Sequence, residues 1–353
     1  MNTPRQPAQH ALEGLGLAAD PACPRTTGHA FPEGGHWRIE IPSVEGPDVL
    51  QAVFDEAARL DVPLHRVSQG SGVWMLTDAE IRQMLAECAA RDVELCLFLG
   101  PRGTWDIGAG VHTTAHSAGP RARGRDQLAQ CLEDALRATE LGVRCLLVAD
   151  EGVLWSLHRM RATGALPGDT TLKVSALVGP VNPASYTVLE HLGADSINVP
   201  SDLTLGQIAE IRAASRAPMD FYVEAPDDVG GFVRLYDAAE LIRCGAPIYL
   251  KFGLRNAPGI YPAGRHLLDQ AVAGARERVR RGRLVLDLAA RLGADGGMAS
   301  LGTRLPGTLR RFPTDPTDPT DPGTAAATTT PTGGRAASPA TSVAAAFKGS
   351  ADG

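Results

Sequence analysis

Segments of strand length alternate with segments of helix length about eight times along this chain, and in most strand segments the polar side chains share one parity. Successive side chains of a strand point to opposite faces of a sheet, so one face is apolar and the other is polar and charged. In an alternating β–α chain the apolar face packs against the helices. The charged face must then line the inside of a closed barrel. The polar positions of this parity are Arg38, Glu40, Arg66, Ser68, Lys173, Ser175, Ser196, Asn198, Asp220, Tyr222, Glu224, Tyr249 and Lys251.

The alternation predicts eight β–α units. We expect strands near residues 37–41, 64–68, 93–99, 144–150, 172–177, 195–199, 219–224 and 247–252. We expect helices near residues 47–60, 78–91, 124–141, 153–163, 183–192, 204–214, 234–244 and 264–292. Eight such units are typical of a (β/α)8 TIM-like barrel. A doubly wound open sheet is the alternative, but it would place the charged parity against helices.

Three parts are expected along the 353 residues of the chain. Residues 1–35 are rich in Pro, Gly and Ala and lack periodicity, which predicts a disordered lead-in. Residues 36–300 carry the alternating pattern and form the barrel domain. Residues 303–353 turn to Thr, Pro, Ala and Gly, with three consecutive Thr-Asp-Pro units at 314–322. Proline at every third position disfavours helix and central strand alike, so we predict a low-complexity, disordered tail.

Charge and composition exclude several classes of protein. The net charge of -6 and the pI near 5.9 do not provide the basic surface of a nucleic-acid-binding protein, apart from a short basic stretch at 120–125. The N-terminus has no hydrophobic signal segment, and no apolar run reaches the roughly 18 residues of a membrane span. The six cysteines form no CxxC pair and no zinc-like cluster, which fits a reduced, cytoplasmic compartment. The oligomeric state stays open.

Polar residues concentrate where such a barrel would have its active site, at the C-terminal ends of the strands and in the loops that follow. They could contact a small-molecule or peptide substrate. Arg255, for example, could hold a carboxylate or phosphate through two nitrogens. The candidate binding residues are Arg66, Ser68, Gln69, Glu151, Ser175, Asn182, Asn198, Asp227, Arg255 and Asn256.

Glu40, Glu224 and Lys251 are the candidate catalytic residues. A lysine desolvated inside a barrel can lose its proton and form a Schiff base with a carbonyl substrate. Two of the carboxylates of Glu40, Glu151 and Glu224 could act as general acid and base, and all three together could bind a divalent cation. The alternative is structural: Lys251 pairs with Glu224 or Glu40, and the charges balance inside the barrel. We predict no defined metal site and no cofactor.

Several catalytic signatures are absent from the sequence. It contains no HExxH, no GxSxG nucleophile elbow, no GxxxxGK phosphate loop and no GxGxxG after a strand. Ser71 follows the second strand in a Gly-Ser-Gly turn, but no histidine is obviously placed beside it. His65 has the outward parity, which favours packing over chemistry.

The segment between residues 140 and 260 resembles peptidase family U32, the collagenase-like peptidases. The matching runs follow the order of the family: Lys173-Val-Ser-Ala-Leu177, Asn182-Pro-Ala184, Leu192-Gly-Ala-Asp195, Pro200-Ser-Asp-Leu-Thr-Leu205 and Met219-Asp-Phe-Tyr-Val-Glu224. The resemblance implies a TIM-like barrel and a peptidase. Where the family has His-Gly-Ala and then cysteines in a Tyr-Ser-Gly-x-Cys signature, this chain reads Glu224-Ala-Pro-Asp-Asp-Val-Gly-Gly. Those cysteines hold an iron–sulfur cluster in members that hydroxylate RNA bases or quinone precursors. A divergent member without a cluster is implied.

The sequence thus predicts a cytoplasmic (β/α)8 enzyme of the U32 type, a peptidase or other hydrolase that acts on a polar or anionic substrate at the C-terminal rim of the barrel. Two alternatives remain open. One is a Schiff-base aldolase or lyase that uses Lys251, and the other is a barrel that binds a ligand without catalysis. The fold does not separate these functions.

Overall fold

The computed structural model describes residues 28–100, 121–294 and 296–302. Its strands are β1 (Trp37–Pro42), β2 (Arg66–Ser68), β3 (Glu94–Phe98), β4 (Cys145–Val148), β5 (Thr171–Val174), β6 (Ser196–Val199), β7 (Met219–Glu224) and β8 (Ile248–Phe252). All pair in parallel with the next strand along the chain, and β8 pairs with β1 to close a barrel. The closure confirms the predicted (β/α)8 fold and excludes the open sheet.

Within the described residues, one α-helix follows each strand. The helices are α1 (Pro47–Leu60), α2 (Asp78–Ala89), α3 (Gly124–Glu140), α4 (Glu151–Thr163), α5 (Pro183–His191), α6 (Leu205–Ala214), α7 (Ala238–Gly245) and α8 (Leu268–Arg291). The predicted starts of α7 and α8 are early, because short 3-10 turns at Leu235–Asp237 and Arg265–Leu267 precede them. None of these helices combines the length and apolar character needed to cross a membrane.

Local capping explains where several helices begin and end. The side chains of Thr77, Asn182 and Thr204 each accept a hydrogen bond from a backbone N–H of the first helical turn. Gly142 and Gly193 follow α3 and α5 with φ angles of 109° and 105°, in the left-handed region that ends a helix. These signals are short-range, which is why the sequence alone predicts the boundaries closely.

The apolar core lies between the strands and the helices. Ile39, Ile41, Val67, Phe221 and Leu250 carry the outward parity and are fully buried. Their burial against the helix layer leaves the other parity to face the interior of the barrel, here called the lumen.

The N-terminal end of the lumen is closed by residues from both ends of the described chain. Phe31 is 2% exposed and packs edge-on against Tyr249, with ring centroids 5.4 Å apart. Ala299 joins the same apolar cluster. Gly35 makes this packing possible, since a Cβ at that position would lie 2.3 Å from the Cα of Ala299. A ligand would therefore enter from the opposite, C-terminal end.

Residues 28–35 take part in this closure. Glu33 forms an ion pair with Arg38 of β1, and the Arg38 guanidinium lies 4.1 Å from the ring centroid of Phe31. The lead-in expected over residues 1–35 is therefore too long, because Phe31 and Glu33 pack against the barrel. Residues 1–27 and 303–353, for which we expect disorder, lie outside the described residues.

Candidate functional site

Charged side chains of the inward parity meet in the middle of the lumen. Lys173 of β5 donates hydrogen bonds to Glu40 and, over 2.9 Å, to Asp220. Arg66 of β2 donates to Glu94 through Nε over 2.5 Å. Its Nη1 lies 3.3 Å from a carboxylate oxygen of both Glu40 and Asp220. These five side chains are at most 7% exposed and form the polar interior that the parity predicts.

The network is held in its charged form. Burial alone raises the pKa of the Glu40 carboxyl, but the positive charges of Lys173, Lys251 and Arg66 outweigh it and hold that pKa well below its usual value. Burial likewise opposes the charge on Arg66, and Glu94 beside it raises the guanidinium pKa above its usual value. Cations and carboxylates of the lumen thus stabilise one another.

Lys251 of β8 occupies the C-terminal end of this network. Its Nζ donates to the side-chain oxygen of Asn198 over 2.7 Å and lies 3.6 Å from Oε1 of Glu40. The ammonium group also lies 4.2 Å from the ring centroid of Tyr222. Asn198 is oriented by its own bond to the carbonyl oxygen of Val174, 2.5 Å away. Of the pairings that we expect for Lys251, the structure forms the one with Glu40.

Lys173 is more central than the sequence indicates. Because it lies near the start of its predicted strand, we expect it low in the barrel, together with Arg38 and Asp220. The structure places Lys173 beside Asp220, as expected, but its Nζ also reaches Glu40. The parity gives the direction of a side chain, but its partners across the lumen depend on the shear of the closed barrel.

Glu224 does not join Glu40 and Lys251. The register between β7 and β8 shifts between Tyr222 and Glu224, so Glu224 leaves the inward parity. Its carboxylate accepts the backbone N–H of Arg255 over 3.1 Å and lies 2.8 Å from Nε of Arg281 on α8. Glu224 therefore lies apart from the pair that Glu40 and Lys251 form, because the bulge turns its carboxylate toward α8.

The expected carboxylate cluster at the rim does not form either. Glu151 is the first residue of α4, not part of a strand, and it pairs with Arg121. Among the described residues, no group of three His, Cys, Asp or Glu side chains is placed to hold a metal ion.

The polar residues of the β7 and β8 loops bind each other. Asp227 accepts the backbone N–H of Asn256 over 2.5 Å and lies 3.6 Å from Nε of Arg255. Asn256 has a φ of 56°, a left-handed conformation that asparagine tolerates. The side chain of Arg255 is 54% exposed, so the structure places it at the surface.

Four other candidate binding residues have structural partners. Ser68 donates to Glu40 over 2.7 Å. The side chain of Gln69 bonds both the N–H and the carbonyl of Gly72, which shapes the turn after β2. The hydroxyl of Ser175 lies 3.3 Å from the N–H of Leu177. Asn182 caps α5 and accepts from the N–H of Ser185 over 2.9 Å.

The loop between β8 and α8 folds over one side of the C-terminal mouth. The hydroxyl of Tyr261 lies 2.5 Å from that of Ser43 in the β1–α1 loop. Ser71 accepts the backbone N–H of Ala263 over 2.8 Å, so this serine fastens the loop. Glu45 accepts the N–H of Ser71 over 3.0 Å. The mouth is thus bounded by loops that hold one another.

The lumen side of β3 and β4 is apolar. Cys96, Phe98, Cys145, Leu147 and Ala149 form a buried cluster with the inward parity. Burial raises the pKa of the Cys145 thiol well above its usual value, and the neighbouring thiol of Cys96 adds to this. Cys96 and Cys145 thus behave as small core residues.

Comparisons with known proteins assign the chain to no family. No protein-family model and no curated protein matches the chain. A U32 peptidase structure aligns at 18% identity with a TM-score of 0.35 and covers 55% of this chain and 72% of its own.

Two further structures have other activities. Thiamine phosphate pyrophosphorylase from Pyrococcus furiosus aligns at 9% identity and a TM-score of 0.41, covering 71% of this chain and 96% of its own. An oxaloacetate acetylhydrolase aligns at 12% identity with a TM-score of 0.41, and the alignment covers 61% of this chain and 75% of the acetylhydrolase chain. The strand pairing of this chain establishes the barrel by itself, and these likenesses assign no residue a role.

Proposed function

We propose that this barrel is a carbonyl lyase of the aldolase type, in which Lys251 forms a Schiff base with a small-molecule substrate at the C-terminal mouth. The main support is the contrast between two lumen lysines. Lys173 lies between Glu40 and Asp220 and forms an ion pair with each of them. Lys251 donates instead to the neutral amide of Asn198, and the Glu40 carboxylate is 3.6 Å away. Of the two lumen lysines, Lys251 is therefore the one whose hydrogen-bond partner is a neutral side chain.

The scarcity of lysine supports the same proposal. Of the 34 basic residues of the chain, three are lysines: Lys173, Lys251 and Lys348. Arginine matches carboxylates well, but its guanidinium keeps its proton and cannot act as the amine of a Schiff base. In this arginine-rich chain, both lysines that the structure describes, Lys173 and Lys251, lie in the lumen, and an amine is the property that arginine lacks.

The surroundings of Lys251 suit the chemistry. The neutral amine attacks a carbonyl carbon, the carbinolamine loses water, and the iminium withdraws electrons from the bond that breaks. Desolvation raises the pKa of the Tyr222 phenol, so this neighbour stays protonated and can donate a hydrogen bond to the carbonyl oxygen.

A hydrolase of the U32 type is the second candidate. It is supported by the resemblance over residues 173–224, and it would use Glu40, Glu224 and Lys251 on a peptide. The engagement of Glu224 by Arg281 makes this candidate weaker, since the carboxylate faces α8. A barrel that binds a ligand without catalysis is the third.

Borohydride trapping tests the lyase. The full chain is incubated with a panel of aldehydes and 2-oxo acids, reduced with borohydride, and mapped by peptide mass spectrometry. We expect an adduct at Lys251 that is lost in Lys251→Arg and kept in the matched control Lys348→Arg. The proposal fails if no member of the panel labels Lys251.

A peptide library incubated with the same preparation separates the alternatives. Cleavage without an adduct at Lys251 would favour the U32-like hydrolase. A ligand that raises the melting temperature without being converted would favour the binding barrel.

A further inference from the structure

A buried arginine near the mouth has no acidic partner among the residues that the structure describes. Arg278 of α8 is 6% exposed, and neither its Nε nor its Nη1 has a hydrogen-bond acceptor there. Nearby arginines of the same helix are paired: Arg281 with Glu224, and Arg280 with Glu277. A buried guanidinium without a counter-charge is unfavourable, so an unpaired one in a folded protein points to a missing anion.

The guanidinium lies level with the C-terminal mouth. A Cβ at Gly282 would lie 3.7 Å from the ring of Phe252, so Gly282 packs beside the last residue of β8. Arg278 is one helical turn, about 5.4 Å, nearer the start of α8 and therefore beyond the end of the strand. Its Nη1 lies over Gly274, where a Cβ would be 3.2 Å away. The side chain thus runs toward the loops that surround the mouth.

Two phenols connect Arg278 with the candidate site. Desolvation raises the pKa of both Tyr222 and Tyr261, and the positive charge of the nearby Arg278 opposes that rise. The ring of Tyr222 also faces Lys251, at 4.2 Å. Tyr222 thus contacts Lys251 and lies within electrostatic range of Arg278. Tyr222 stays protonated, because desolvation raises its pKa, and it can donate a hydrogen bond to an anion held by Arg278.

We propose that Arg278 binds the anionic group, a carboxylate or a phosphate, of the molecule that enters the mouth. A guanidinium presents several N–H donors in one plane, which matches the oxygens of such groups. Arg255, which the sequence suggests for this task, is exposed and faces Asp227. The substrate class that follows is a carbonyl compound with an anionic group. Only this last step rests on the proposed function, because anion binding does not require the chemistry of Lys251.

Thermal unfolding of the full chain with inorganic phosphate or malonate tests the site, with sodium chloride at equal ionic strength as the reference. We expect at least one of the two anions to raise the Tm saturably. The rise should disappear in Arg278→Met and persist in Arg280→Met, a matched change on the same helix. In anion-free buffer, Arg278→Met should unfold at or above the wild-type Tm, because it removes a cation without a partner.

The absence of a saturable rise in the wild type would overturn the proposal, and so would an undiminished rise in Arg278→Met. A lower Tm of Arg278→Met in anion-free buffer would also overturn it, by showing that the guanidinium already has a stabilising partner. Anion binding without trapping at Lys251 would support the anion site at Arg278 and contradict the proposed lyase activity. Trapping at Lys251 without any anion response would contradict the anion site and support the lyase.

Discussion

Lys173 and Lys251 illustrate how the partners of a lumen side chain decide its role. Lys173 neutralises Glu40 and Asp220, and its removal would leave two buried carboxylates undercompensated. Lys251 lies against an amide and a phenol ring, at the end of the network that faces the mouth. The first lysine stabilises the barrel, and the second is the one to which we assign chemistry.

His65 should make the stability of the folded protein depend on pH. Its Nδ1 accepts the backbone N–H of Ile39 over 3.1 Å, and its Nε2 lies 2.9 Å from the carbonyl oxygen of Ala299. Burial lowers the pKa of His65 to about 4, against an ordinary value of 6.5. Between these values the unfolded chain binds the proton and the folded chain does not. Stability therefore falls as the pH drops below 6.5, and His65 should account for about 2 kcal/mol between pH 7 and pH 5.

Urea unfolding at pH 7 and pH 5 measures this contribution. The variant His65→Gln offers an acceptor and a donor but does not titrate, so it should lose less stability than the wild type over the same interval. Equal losses in the two proteins would contradict the assignment.

At this scale the sequence predicts the direction of side chains but not their partners. Alternation along a strand is local, which is why the parity correctly places Glu40, Asn198 and Lys251 in the lumen. The position of Glu224 depends on a register shift between two strands, which no local pattern reveals. Arg278 carries no sequence signal either, because a helical arginine is expected at the surface.

At the scale of elements, local chemistry predicts the helices well and can mislead about the site. Asn182 lies in the loop between β5 and α5, where its side chain could contact a substrate. The structure gives its side chain to the first turn of α5, where it accepts the N–H of Ser185 over 2.9 Å. A loop residue at the mouth can either contact a substrate or cap the helix that follows. Asn182 caps α5, because its side chain accepts a hydrogen bond from a backbone N–H that would otherwise be unpaired.

The variant Asn182→Ala tests whether capping is the role of this residue. Loss of an N-cap costs about 1 kcal/mol, so the free energy of unfolding in urea should fall by that amount. Asn182→Asp keeps an acceptor and should retain most of the stability. Trapping at Lys251 should be unchanged in both variants. Reduced trapping by Asn182→Ala without a loss of stability would instead indicate contact with substrate.

On the scale of the whole molecule, the two ends of the barrel differ. Phe31, Tyr249 and Ala299 close the N-terminal end, while the C-terminal end is bounded by loops. The parity predicts the closed barrel, since only a lumen accepts a charged sheet face. It does not predict the closing segments at 28–35 and 296–302, because these have no periodicity and their position depends on contacts distant in sequence.

Phe31 is therefore expected to matter for global stability despite its place near the start of the chain. Its ring is 2% exposed and contacts both Tyr249 and Arg38, so Phe31→Ala would leave a cavity beneath the charged network. We expect a loss of about 3 kcal/mol in urea unfolding, with Phe31→Leu as the milder control. Deletion of residues 303–353 should leave the same free energy unchanged, because that segment has too few apolar residues to build a core. If Phe31→Ala unfolds like the wild type while the deletion is destabilising, the packing that closes the barrel lies in the tail instead.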